Sequence, residues 1–141
     1  LLFGRGLGEL FIIRNAGNTV DTAAMGSLEF SVGVLKVPLI VVMGHEACGA
    51  VNAAMSVVRN NAQFPSNIAK MIQPIVPAVL EAVHKGQDSL EAAVRQNVHR
   101  VVRELREEAS PVLLKPQAAG TLKVVGAYYN LGSGKVDFFD A

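Results

Sequence analysis

Five consecutive apolar residues, Leu39-Ile40-Val41-Val42-Met43, run directly into Gly44-His45-Glu46-Ala47-Cys48-Gly49-Ala50. An apolar run with no polar alternation reads as a strand buried on both faces, as in the centre of a parallel sheet. Pro38 precedes the run and breaks any helix before it. Gly44 ends it, and a helix is expected at once, from about Ala47 to Val58. A chain organised around such a strand–turn–helix unit is confined largely to the α/β class.

The remaining segments are consistent with that class. Phe11-Ile12-Ile13-Arg14, bounded by Gly8-Glu9 and by Asn15-Ala16-Gly17-Asn18, reads as a buried strand ending in a loop. Thr19 to Lys36 carries Ala24, Leu28, Val32 and Leu35 on one helical face, and Asp21 or Thr19 is placed to cap its start. Ser66 to Lys85 reads as helical, bent or interrupted at Pro74 and Pro77. Ser89 to Ala109 is the strongest helix, with Leu90, Val94, Val98, Val101 and Leu105 forming its apolar stripe. Thr121 to Tyr129 is a second strand, Asn130 to Gly134 a turn, and Lys135 to Phe139 the returning hairpin arm. The expected fold is a mostly parallel central sheet flanked by helices, with the C-terminal hairpin as an antiparallel edge.

Composition narrows the function classes. The length of 141 residues suits one domain, 1–141. Half the residues are hydrophobic but only 6% are aromatic, so the core must be aliphatic. A net charge of +1 gives no reason to expect nucleic acid or an anionic membrane as partner. No apolar run approaches the roughly 20 residues that span a bilayer. There is no basic stretch followed by an apolar run and a cleavage site, so a cytoplasmic protein is expected. The first residue is Leu1 rather than Met, so an upstream segment is expected to have been removed, processed or left out.

Chemistry concentrates at His45 and Cys48. Three residues apart at a strand end, they can aim an imidazole nitrogen and a thiolate sulfur at one ion, and both are good zinc ligands. A thiolate near a helix N-terminus is stabilised by the helix dipole. Gly44 and Gly49 permit close backbone approach, and the Gly49 amide is placed to donate to a bound anion. The plain alternative is a packed histidine and a buried thiol, since His-x-x-Cys is a short pattern in a chain with 3 His. A lone cysteine also rules out an internal disulfide and a dithiol mechanism within one chain. Gly4-Arg5-Gly6-Leu7-Gly8-Glu9 has Glu where a dinucleotide fingerprint needs its third glycine, and it precedes a strand instead of following one.

Taken together, Phe11 to Asn18, Gly26-Ser27-Leu28-Glu29-Phe30, Gly44 to Val51, Gln96-Asn97-Val98 and Val125 to Tyr129 resemble the β-class carbonic anhydrases, through essentially the whole chain. The resemblance implies reversible hydration of carbon dioxide to bicarbonate by a zinc-bound hydroxide, zinc lowering the pKa of its water to about 7. It implies a zinc held by two Cys and one His, of which His45 and Cys48 match the His and the second Cys. The family's other Cys and its Asp–Arg pair lie in a Cys-x-Asp-x-Arg motif that is absent here, so no catalytic residue is assigned. It also implies a homodimer or homotetramer. In some members an Arg and a Tyr at the places of Arg14 and Tyr129 help bind regulatory bicarbonate. The simpler expectation is that Arg14 pairs with a local carboxylate or bridges to a partner subunit. Two outcomes are therefore expected: a zinc lyase in full-length form, or an inactive truncated scaffold lacking a complete zinc site. Glu46, Asp21, His84 and His99 are poor substitutes for the missing ligand, by orientation, by a capping role or by distance along the chain.

Overall fold

The computed structural model describes residues 3–140, so Leu1, Leu2 and Ala141, the ends of the domain expected over 1–141, lie outside the described residues. The apolar run becomes β1, Leu39–His45, two residues longer than its apolar part. It pairs in parallel with β2, Lys123–Tyr129, in a register that sets Leu39 against Lys123 and His45 against Tyr129. β3, Val136–Phe139, returns antiparallel to β2, with Gly126 opposite Phe139 and Tyr129 opposite Val136. Among the described residues the sheet has the order β1-β2-β3. This is the mixed α/β arrangement expected, with a correction at β1. β1 has a strand on only one side and lies at an edge, not in the centre.

The helices form where periodicity and caps place them. α1 spans Thr22–Gly33, and Asp21 caps it by accepting from the Ala24 amide at 2.8 Å. α2 spans Gly49–Asn60 and closes on Asn61 in the left-handed conformation at φ 52°. The two prolines split the next helical stretch into α3, Ser66–Ile72, a tight turn at Gln73–Ile75, and α4, Val76–His84. α5 spans Leu90–Arg103 from a Ser89 cap, whose hydroxyl accepts from Ala92. It then widens into a π-type turn over Glu104–Glu108. α6, Pro111–Ala118, is absent from the sequence reading, although Ser110-Pro111 is a helix-start signal. Pro116 inside it obscures the pattern. Gln117 donates to the carbonyls of Leu105 and Leu113, joining α6 to the wide turn.

α5 packs on the sheet through two strand glycines. A Cβ on Gly44 would lie 2.6 Å from Val94 Cγ1, and one on Gly126 would lie 2.9 Å from Val98 Cγ1. Only glycine admits so close a helix at these points. The buried aliphatic side chains form two clusters. One holds Val32, Ile40, Val42, Val102 and Leu113, and the other holds Cys48, Val51, Ile75, Val79 and Val94. Each fully buried valine or leucine contributes about 1.5–3 kcal/mol.

The expected buried strand at Phe11–Arg14 does not form. The segment is irregular, and Phe11, Ile12 and Ile13 are exposed. A strand is stabilised by its ladder partners, and among the described residues no strand pairs with this one.

Candidate functional site

His45 is the last residue of β1 and is exposed. Its Nδ1 lies 2.8 Å from the Glu46 carbonyl oxygen. A carbonyl only accepts, so a hydrogen bond here requires the proton on Nδ1, the tautomer whose Nε2 lone pair is available. Ala47 then adopts φ 57°, a left-handed conformation that turns the chain from strand to helix. Cys48 follows as the N-cap of α2, its side chain making no capping bond and only 3% exposed. Its carbonyl accepts the first helical bond, from Asn52 at 3.0 Å. Gly49 opens α2, with nothing within 4 Å of the point where a Cβ would stand.

Two loops converge on this turn. The Glu46 amide donates to the Tyr129 carbonyl at 2.8 Å, and the Glu46 carboxylate accepts from the Gly132 amide at 3.1 Å. On the other side, Gly17 at φ 80° presses against the first turn of α2, where its Cβ would meet Ala50 Cβ at 3.2 Å. The Gly17 carbonyl accepts from Asn97 Nδ2 at 2.7 Å. Asn97 is 2% exposed, and this bond anchors the Asn15–Asn18 loop to α5. Neither anchor was assigned from sequence. A polar Asn97 beside the apolar stripe of Val94, Val98 and Val101 was the available signal for one. The 86-residue separation hid the other.

The remaining candidates are placed as follows. Tyr129 ends β2 opposite His45 and is half-buried. Arg14 is exposed and makes no ion pair among the described residues, so the expected local carboxylate partner is not found. No hydrogen bond joins Arg14 to Tyr129. Glu46 is engaged with Gly132, Asp21 caps α1, and His84 is exposed. His99 packs against Phe139 with ring centres 4.8 Å apart and the rings tilted by 43°. Burial, with the charges of Lys85 and Arg95 beside it, pushes the His99 pKa down.

The donor set is incomplete for a catalytic zinc. His45 and Cys48 offer one nitrogen and one sulfur, whereas such a site uses three protein ligands. Among the described residues no group of three or more His, Cys, Asp or Glu is arranged to hold a metal ion. These residues alone do not fit zinc.

A family model described as carbonic anhydrase matches residues 1–136. The chain belongs to the carbonic anhydrase family. Solved structures place it in the β class. A Coccomyxa β-carbonic anhydrase in complex with acetazolamide shares 28% identity and a TM-score of 0.81, covering 98% of this carbonic anhydrase chain and 64% of the other. A chain from the crystal structures of two tetrameric β-carbonic anhydrases from Sordaria macrospora shows the same fold, with a TM-score of 0.88 at 22% identity over 99% of this chain and 73% of that one. Among curated relatives, the carbonic anhydrase of Mycolicibacterium smegmatis is 38% identical over 97% of this chain and 66% of its own length. Carbonic anhydrase 2 of Mycobacterium tuberculosis is 36% identical over 96% of this chain and 65% of its own. This carbonic anhydrase chain thus spans slightly under two thirds of the curated relatives it matches.

Proposed function

We propose that the protein carrying this chain is a zinc lyase that interconverts carbon dioxide and bicarbonate, releasing a proton in the hydration direction. The observation that carries the reading is the placement of His45 and Cys48. They stand at the carboxyl end of β1 and the N-cap of α2, in a chain matched to the carbonic anhydrase family over residues 1–136. In open α/β sheets that end of a strand is where ligands bind. His45 would offer Nε2 and Cys48 its sulfur to zinc, and the Gly49 amide would face a bound anion. No catalytic step is assigned, because two donors leave the metal underbound.

Carbon dioxide and bicarbonate are the proposed small-molecule partners, and a homodimer or homotetramer the proposed assembly. The near-neutral charge supports neither nucleic acid nor an anionic membrane surface as partner. No helix of the described residues is long and apolar enough to cross a membrane, and a cytoplasmic site of action remains part of the proposal. A regulatory anion site at Arg14 and Tyr129 is also part of the proposal, although among the described residues no hydrogen bond joins the two.

The test is stopped-flow carbon dioxide hydration on the complete coding product, together with zinc per chain by elemental analysis. About one zinc per chain and rapid hydration are expected, both lost in His45→Ala and Cys48→Ser. Residues 1–141 alone are expected to hydrate carbon dioxide little faster than buffer. A complete, zinc-loaded protein with no hydration above buffer would sink the proposal. The donor count favours a second reading for the 141 residues in isolation, an inactive scaffold retaining the fold.

A further inference from the structure

We infer that Glu46 is a positioning residue that fixes the tautomer and direction of His45 by tying the strand–helix turn to the β2–β3 turn. The inference rests on reading His45 as a functional residue, as proposed above. All three polar groups of Glu46 are committed. Its amide donates to Tyr129, its carboxylate accepts from Gly132, and its carbonyl accepts from His45 Nδ1. The first two hold the residue at both ends, so the third is presented to the imidazole in a fixed direction. A ring with Nδ1 so occupied directs only Nε2 outward, the arrangement by which a carbonyl orients a histidine for work at its other nitrogen.

The anchor is itself held by hydrogen bonds. In the turn that follows β2, Asn130 Oδ1 accepts from the Ser133 amide and hydroxyl, both at 2.8 Å. The Asn130 carbonyl accepts from Gly134 at 2.9 Å, and its amide donates to Lys135 at 2.9 Å. Gly132 lies inside this network. The tether also opposes a specific strain. Ala47 at φ 57° holds a left-handed conformation that is unfavourable for a residue with a Cβ. Relaxing that dihedral rotates the 46–47 peptide, which carries the carbonyl bound to His45. Holding Glu46 at Gly132 and Tyr129 keeps that peptide in place.

The experiment reads the His45 tautomer by two-bond proton–nitrogen NMR on the imidazole at pH 8, in the metal-free protein. Wild type is expected to be predominantly Nδ1–H. Glu46→Ala removes the tether, and Glu46→Asp shortens it by one methylene. Both are expected to lose that preference and relax toward the mixture of a solvent-exposed imidazole. Glu46→Gln keeps an acceptor for the Gly132 amide and is expected to retain it. Should the alanine variant fail to fold, the Asp and Gln pair decides, since the two differ in reach and not greatly in size. The inference is overturned if wild type is not Nδ1–H, or if the Asp and Gln variants share one tautomer ratio. Zn2+ alone, titrated into wild type, separates this from the parent reading. An Nε2 resonance that ignores Zn2+ while the Gln and Asp variants still differ counts against the metal and leaves the positioning role supported. Equal tautomers overturn the positioning role whatever zinc does.

Discussion

Two short apolar segments, Phe11–Arg14 and Val136–Phe139, have similar composition and opposite fates. Both hold phenylalanine with a β-branched residue, and both read as strands. Val136–Phe139 becomes β3, with Phe139 packed over Gly126 and against His99. Phe11–Arg14 lies exposed and unpaired, with Ile12 68% accessible. The difference lies in partners. β3 meets β2 across a turn tied by Asn130, whereas no strand of the described residues runs beside Phe11–Arg14. Strand propensity is thus a fitness for pairing, and the available partner decides whether it is used.

The comparison can be broken from its paired side with the largest effect. Gly126→Val puts a side chain where even a Cβ would stand 2.6 Å from Phe139 Cε2 and 2.9 Å from Val98 Cγ1. A loss of about 2–3 kcal/mol is expected in urea unfolding, from squeezing α5 and β3 off β2 at once. A variant as stable as wild type would show that β3 is not seated as described. Asn130→Ala removes the acceptor for Ser133 and should cost about 1 kcal/mol. Amide exchange in β3 should quicken more than in β1, which would sharpen the contrast by showing that the turn maintains the pairing.

A smaller effect is expected from pH. His99 sits between Lys85, Arg95 and the Phe139 ring, and its pKa is lowered in the fold, first by burial and then by those two cations. The unfolded chain, whose histidines titrate near 6.5, binds more protons in the window between its own pKa and the folded one. This contribution to stability is therefore complete above pH 6.5 and declines as the pH falls through the folded value. The melting temperature should drop over that range, and His99→Gln should remove that part of the slope. A His99→Gln profile parallel to wild type would exclude His99 as its source. The smallest effect belongs to the unpaired segment. Ile12→Ser should change the stability of the isolated chain by no more than about 0.5 kcal/mol. A cost above about 1 kcal/mol would mean that Ile12 is covered in solution, and the contrast between the segments would fall.

The same contrast explains what was legible in the sequence. β1, α5 and the Asp21 cap are local patterns, and the structure has them close to where periodicity and capping chemistry place them. His45 and Cys48 were legible because strand, turn and helix are contiguous there. The failure at Phe11–Arg14 arose because an apolar run records a demand for burial and says nothing about who answers it. α6 was missed because Pro116 and a short length blur its period. The Glu46–Gly132 and Asn97–Gly17 bonds join residues 86 and 80 apart, and no single-sequence pattern encodes such meetings.

The parallel pairing of β1 with β2 also sets an order of events. Every helix from α2 to α6 lies between the two strands, so their ladder closes only when that whole stretch has been gathered in. Loops that long close late in folding, whereas the β2–β3 hairpin needs only its own turn. On a ribosome, His45 would emerge well before Tyr129 and wait for its neighbour. The bonds by which Tyr129 and Gly132 hold the turn carrying His45 and Cys48 therefore form only after that whole stretch has been gathered in.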